Sequence, residues 1–255
     1  MDFQSKARRA RLRLIGIAVG AAAAVVAGGI GLATLTGGKT GTDARPAATG
    51  RQAQASGSGA TPPTGTKEYT PASVPPVKPL KPTVHDKGIG RGYEHSGFGA
   101  LSAGIGYWQD LAFIDDVQAE QQWKAITSKA SPELIDRGVS EVRKIREAAG
   151  LPPSGAGPDG LTFTTTVTAS LARSLDKSGD VVKIWLVYDR YAVNRNTGVD
   201  DDPLKDQFTS LVLKWEDGDW KVSDESKHPK INFVPNSYYP DSKYAFYDGW
   251  RRVSG

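Results

Sequence analysis

The longest uninterrupted apolar stretch lies near the start of the chain. Residues 14–36 contain only Leu, Ile, Val, Ala, Gly and two threonines over twenty-three positions. A helix rises about 1.5 Å per residue, so a helix of this length matches a bilayer core of about 30 Å. We therefore predict a transmembrane helix over residues 14–36, preceded by a basic arm over residues 1–13.

Farther along, between residues 93 and 150, apolar positions recur every three to four residues, which is typical of helices buried on one side. Three helices are predicted. Ser96 can cap the first, Asp115-Asp116 can cap the second, and in Ser131-Pro132 the serine can cap the third while the proline opens it. Gly150, followed by two prolines, predicts the end of the third helix.

After Gly150 the apolar period changes from 3.6 to 2, which is typical of strands. Residues 161–175 and 181–193 predict two long antiparallel strands, and residues 208–215 predict a third. The Asp217-Gly218 turn then returns the chain as a fourth strand. We predict an α+β fold in which about three helices pack on a four-stranded curved antiparallel sheet.

Composition divides the rest of the chain. From Gly37 to Asp86 there are eight prolines and seven glycines but one aromatic residue, and such a segment cannot bury a core. All six tryptophans lie after residue 93. We predict a disordered linker over residues 37–92, an α+β domain over residues 93–225 and an aromatic C-terminal extension over residues 226–255.

The net charge of +4 belongs to the basic arm. That arm has one acidic residue, so its own charge is +4 and the other residues sum to zero; its cations are Lys6, Arg8, Arg9, Arg11 and Arg13. A nucleic-acid-binding protein should carry its excess charge on the folded domain, so we expect no nucleic-acid partner. The positive-inside rule instead predicts a single-pass cell-membrane protein with a cytoplasmic N-terminus and an extracytoplasmic domain. The alternative is a signal peptide cleaved after an alanine such as Ala27.

Catalytic chemistry has little support in the sequence. Cysteine is absent, and the three histidines have no ligand spacing between them. Asp200-Asp201-Asp202 lacks the alternating spacing of a calcium loop. The best acid–base candidate is His95 with Asp115 or Asp116. We expect a protein that is not an enzyme and has no cofactor, metal site or catalytic residue.

Two sets of residues suggest contacts with other proteins. A ridge of small residues on the predicted anchor favours helix self-association, and hence a homo-oligomer; it consists of Gly16, Gly20, Ala24 and Gly28. The aromatic extension must also be covered. It either folds back over the helices or the open end of the domain, or it forms a partner surface with Tyr244, Tyr247, Trp250 and Arg251.

Three helices followed by a meander that closes on LVLKWEDGDWKV resemble the nuclear-transport-factor-2-like cone. The anchor, the linker, the segment GYEHSGFGALSAGIGYWQDL and the terminal YDGW resemble single-pass actinobacterial proteins of mobile elements. Those proteins are similar to the inner-membrane bridging subunit of type IV secretion, or conjugation, machines. The resemblance implies an assembly subunit whose partners are other membrane or secretion-apparatus proteins. The alternatives are an accessory protein of a lipid-uptake transporter and a domain with a small-ligand pocket.

Overall fold

Three helices precede the long strands in the computed structural model, which describes residues 68–195, 198–199, 203–228, 231 and 233–254. Helix α1 spans Gly97–Asp110, α2 spans Asp116–Ile126 and α3 spans Glu133–Ala148. The Ser96 hydroxyl accepts a hydrogen bond from the Gly99 amide, and the Asp115 carboxylate accepts one from the Gln118 amide. These two caps confirm the prediction, because short polar side chains satisfy the free amides at a helix start.

The predicted cap of the third helix is wrong. The Ser131 Oγ accepts from the Asp224 amide at 3.1 Å and lies 3.3 Å from the Ser223 Oγ. Pro132 stands at the N-cap position, one residue before the helix begins, and makes no side-chain cap. Ser131 therefore ties the start of α3 to the residues that follow the sheet.

The sheet is curved and antiparallel throughout, and its strands follow the order β7-β6-β4-β3-β8, with β5 paired to β4. Its strands are β3 (Leu161–Ser174), β4 (Val181–Asn194), β5 (Gly198–Val199), β6 (Leu204–Glu216), β7 (Asp219–Val222) and β8 (Arg251–Arg252). The four predicted strands form the meander, but the prediction of a four-stranded sheet is wrong because β5 and β8 extend it. Register shifts at Val167/Ala169 and Tyr188/Arg190 are bulges, which bend the strands.

Both faces of the sheet are covered. The inner face packs against the helices through residues such as Ile184, Leu186 and Leu213. The outer face carries Trp185 and Val187, and the C-terminal segment lies over it. Side chains alternate between the faces of a strand, so a run of consecutive apolar residues needs cover on both sides.

The C-terminal segment is part of the folded domain. Its helix α4 (Lys243–Asp248) and strand β8 place two fully buried side chains, Ala245 and Trp250, against the outer face. The expectation that this C-terminal extension packs over the helices or the open end of the domain is wrong. The predicted end of the α+β domain at residue 225 is also wrong. Outward-facing apolar residues of β3 and β4 require this cover.

Residues 68–92, which precede the helices, are ordered, so the prediction of a disordered linker as far as residue 92 is wrong. A 3-10 turn covers Pro71–Ser73, and β1 (Val84–Asp86) pairs with β2 (Ile89–Arg91). Leu80 packs on the core and Ile89 is fully buried. These residues give the segment an apolar anchor that composition did not reveal.

Residues 1–67 lie outside the described part of the chain, and with them lie the basic arm, the predicted anchor and its small-residue ridge. Asp200-Asp201-Asp202 also lies outside it. Within the described ranges, no helix is long and apolar enough to cross a membrane.

Candidate functional site

Helix α4 presents two tyrosines to solvent. Ser242 caps the helix, and Gly249 ends it with a φ of 100°, a left-handed conformation that suits glycine. Ala245 faces the sheet and is fully buried, whereas Tyr244 is 63% and Tyr247 is 68% exposed. Both tyrosines of the predicted partner surface are therefore accessible in the folded domain.

Trp250, by contrast, is fully buried, so its assignment to an exposed partner surface is wrong. Its indole Nε1 donates to the Asn236 carbonyl at 2.9 Å. Its ring contacts Tyr238 and Phe208 at centroid distances of 5.7 and 6.4 Å. Trp250 fixes the C-terminal segment on the outer face and thereby holds α4 in place.

Arg251 packs against the ring of Phe246 on α4. Its guanidinium lies 4.1 Å from the centre of the Phe246 ring, and its Nη1 donates to the Trp250 carbonyl at 2.7 Å. Burial lowers the pKa of Arg251. Phe246 also stacks on Tyr69, with the ring centres 5.6 Å apart and an interplanar angle of 20°. A cation under one ring and a second ring beside it hold the surface in one arrangement.

We define the α4 surface as Tyr69, Tyr244, Phe246 and Tyr247. Sequence reasoning found the two α4 tyrosines but missed Phe246 as a member, and it placed Tyr69 in a disordered linker. Tyr69 is the lone aromatic residue of the Pro-rich segment, and that isolation was the available signal.

The candidate acid–base pair is not assembled. His95 stacks on Trp215 at 4.3 Å, and its Nε2 lies 2.7 Å from the Asp180 Oδ1. Asp115 caps α2, and the Asp116 carboxylate accepts from Arg143, Ser154 and Gly155. Neither aspartate is therefore paired with His95.

A serine–histidine contact follows strand β7. The Ser223 Oγ lies 2.8 Å from the His228 Nε2, and the Glu225 Oε1 lies 3.7 Å from that same nitrogen. A hydrolase triad needs the carboxylate on the other ring nitrogen, where it orients the imidazole. Ser223 is also buried. The contact holds the chain after β7 against Ser131 and does not form a nucleophile.

The third histidine, His85, lies on the exposed strand β1. Within the described residues, no three His, Asp or Glu side chains come together as metal ligands would.

No protein-family model, curated protein or solved structure shows significant similarity to this chain.

Proposed function

We propose that this protein is a membrane-anchored, extracytoplasmic protein-binding subunit of a conjugation or secretion apparatus, and that its domain is a nuclear-transport-factor-2-like cone. The observation that carries the proposal is the α4 surface. Tyrosines 244 and 247 stay in solvent although the neighbouring Ala245 and Trp250 are fully buried. An apolar surface that its own domain does not cover is typical of interaction sites.

The construction of the surface supports this role. Tyrosine gives a large contact area at low cost in conformational entropy, and Tyr and Arg are enriched at interface hot spots. Phe246 packs against both Tyr69 and Arg251, and Trp250 ties the helix to the sheet. A partner would therefore meet side chains that are already ordered, which lowers the entropic cost of binding.

The predicted anchor favours a partner in the same membrane. A domain tethered to the anchor predicted over residues 14–36 would meet membrane proteins at a raised effective concentration. Other membrane or secretion-apparatus proteins are therefore the expected partners. The partner expected under the alternative is a lipid-uptake permease.

The surface is tested by photo-crosslinking in cells. A photoreactive phenylalanine at position 244 or 247 should crosslink to a defined membrane protein, and the same residue at Val117, an exposed apolar position on α2, should not. Tyr244→Ala with Tyr247→Ala should weaken that complex at least about 30-fold, since hot-spot side chains contribute about 2 kcal/mol or more. Both side chains are exposed, so unfolding should change by less than about 0.5 kcal/mol.

Equal crosslinking from positions 117 and 244, or a complex that survives the double substitution, would count against the surface. Loss of the complex together with loss of stability would point to a structural role for the two tyrosines.

The membrane topology has its own test, because the chain has no cysteine. Ser5→Cys lies before the predicted anchor and Ser58→Cys lies after it. A membrane-impermeant maleimide should label Ser58→Cys in intact cells and Ser5→Cys only after lysis. Labelling of position 5 in intact cells, or protection of position 58, would refute the topology.

A further inference from the structure

Arg190 on strand β4 is a buried cation with few partners. Arg190 is 8% exposed, and its Nε donates to the Thr165 Oγ1 at 2.9 Å. The guanidinium lies 4.0 Å from the centre of the Phe113 ring and 5.3 Å from that of Tyr188. No carboxylate among the described residues forms an ion pair with it. Burial lowers the pKa of Arg190 to about 10, so it remains charged at neutral pH.

A second buried arginine in this fold has more partners. Arg146 on α3 is 2% exposed, and its Nε and Nη1 donate to four backbone carbonyls; these belong to Ile114, Pro152, Gly155 and Ala156. The protein itself supplies acceptors for both of these nitrogens. Arg190 has one such bond, and burial of a charge without partners is unfavourable.

Arg190 lines a pocket between the helices and the sheet, with a volume of about 60 Å³. Most of the wall is aromatic or aliphatic and includes Trp108, Phe113, Trp123 and Ile145. Since one water needs roughly 10–15 Å³ by this kind of measure, the space admits a small polar group with a few carbon atoms. The pocket therefore combines one fixed cation with apolar walls.

Two other polar groups close to Arg190 have no hydrogen bond. They are the Nε1 of Trp108, which lines the pocket, and the hydroxyl of Tyr188, whose ring contacts Trp108 at 5.3 Å. The other charged residue of the pocket is Glu141, whose Oε1 accepts from the Lys144 ammonium at 2.7 Å. The indole Nε1 can only donate and the hydroxyl is able to donate, which suits an anionic acceptor with a single charge.

We propose that the Arg190 pocket binds the carboxylate of a small organic acid whose apolar body packs against the tryptophans. A carboxylate matches the planar guanidinium, and it leaves an oxygen for the neighbouring donors. A dianionic phosphate suits the pocket less well because Glu141 lies in the same wall. The site is independent of the proposed protein-binding role, since Arg190 faces the helices and the α4 surface lies on the other side of the sheet.

Binding is tested with the full chain in lipid nanodiscs, so that no free detergent competes for the pocket. The probes are propanoate and butanoate, which have a few carbon atoms as the pocket volume requires, with propanamide as the neutral analogue of propanoate and ethyl phosphate as the dianion. Calorimetry should show propanoate binding at least about 30-fold tighter than propanamide, the factor expected for a charge-assisted hydrogen bond. Arg190→Met should weaken propanoate binding by a similar factor. The control Arg173→Met should bind like the parent, because Arg173 is exposed and packs over Phe233 on the outer face.

Stability separates a ligand site from a structural arginine. Arg190→Met removes a buried cation with one hydrogen bond and should leave the thermal midpoint of the free protein unchanged or higher. Arg146→Met removes four hydrogen bonds and should lower the midpoint clearly. Arg190→Lys keeps the charge without the planar fork, so it should fold and bind propanoate more weakly than the parent.

Three results would overturn the proposal: no binding of either acid by the folded parent chain, equal affinity for propanoate and propanamide, or a loss of stability in Arg190→Met as large as that in Arg146→Met. Tighter binding of ethyl phosphate than of propanoate would replace the carboxylate with a phosphate ester as the ligand.

Discussion

Replacement of Asp116 by Asn should remove a pH-dependent part of the domain's stability. The Asp116 side chain is fully buried at the start of α2. It accepts from the Gly155 amide at 2.8 Å, from the Ser154 hydroxyl at 3.1 Å and from the Arg143 Nε at 2.9 Å. Burial acts to raise the pKa of this carboxyl, but the bonds from Gly155, Arg143 and Ser154 outweigh it and lower the pKa from 3.8 to about 2.

The magnitude follows from proton linkage. A pKa that falls from 3.8 to about 2 on folding corresponds to about 2.4 kcal/mol at pH 7, at about 1.36 kcal/mol per pKa unit. The folded state holds this proton less tightly than the unfolded chain does. The stabilisation is therefore complete above about pH 5 and falls to about 1.3 kcal/mol at pH 3. Asn has no charge to titrate, so it removes this dependence.

Urea unfolding followed by tryptophan fluorescence measures both effects. Asp116→Asn should lower the free energy of unfolding by about 2–3 kcal/mol at pH 7, and the difference from the parent should narrow by about 1 kcal/mol at pH 3. Asp115→Asn is the matched control, because Asn caps a helix about as well as Asp. A loss below about 0.5 kcal/mol, or a difference that is the same at both pH values, would refute the role assigned to the buried carboxylate.

Three further substitutions test the packing at Gly138 and Trp250 and the pH dependence that His228 contributes. Gly138→Ala should cost about 1–3 kcal/mol, because the new methyl group would overlap the Trp123 indole, whereas Gly97→Ala meets nothing within 4 Å and should be neutral in thermal unfolding. Trp250→Ala should cost about 3–5 kcal/mol in urea unfolding, and a loss under about 1 kcal/mol would show that the outer face does not depend on it. Burial lowers the pKa of His228, so stability should fall as the pH drops through about 6.5, and His228→Gln should flatten that slope.

Strong local patterns explain which elements the sequence predicted. The caps at Ser96 and Asp115 and the helix end at Gly150 depend on chemistry within a few residues, and each lies where it was predicted. The long strands β3, β4 and β6 repeat the period-2 pattern many times. The helix cap predicted at Ser131 is wrong because the Ser131 hydroxyl contacts Ser223, which is ninety-two residues away in the sequence. No local pattern encodes that contact.

The order of residues 68–92 was not predicted, for a related reason. Their composition is that of a disordered chain, and their order depends on long-range contacts. The Leu80 amide donates to the Ser102 hydroxyl, the Gly90 amide donates to Asp110, and Arg252 donates to the carbonyls of Pro71 and Val74. Two-residue strands such as β5 and β8 likewise exist only through the strands they join.

The pocket could have been suspected from strand β4 alone. Val182, Ile184, Leu186 and Tyr188 alternate along the inner face, and Arg190 is the next residue in that series. A charged residue at an inward position must find partners inside the domain or bind something else. The sequence alone does not show how many partners Arg190 has. That number depends on where Thr165, Phe113 and Glu141 lie in the fold.

The same strand explains why the C-terminal segment belongs to the domain. From Ile184 to Tyr188 every residue is apolar, and a strand with no polar alternation must be buried on both faces. Three helices can cover the inner face only. The outer pair, Trp185 and Val187, therefore requires a second layer, and α4 with Trp250 supplies it. A helix held in place for this structural reason can present Tyr244 and Tyr247 outward, which is how one short segment can both complete the fold and offer a partner surface.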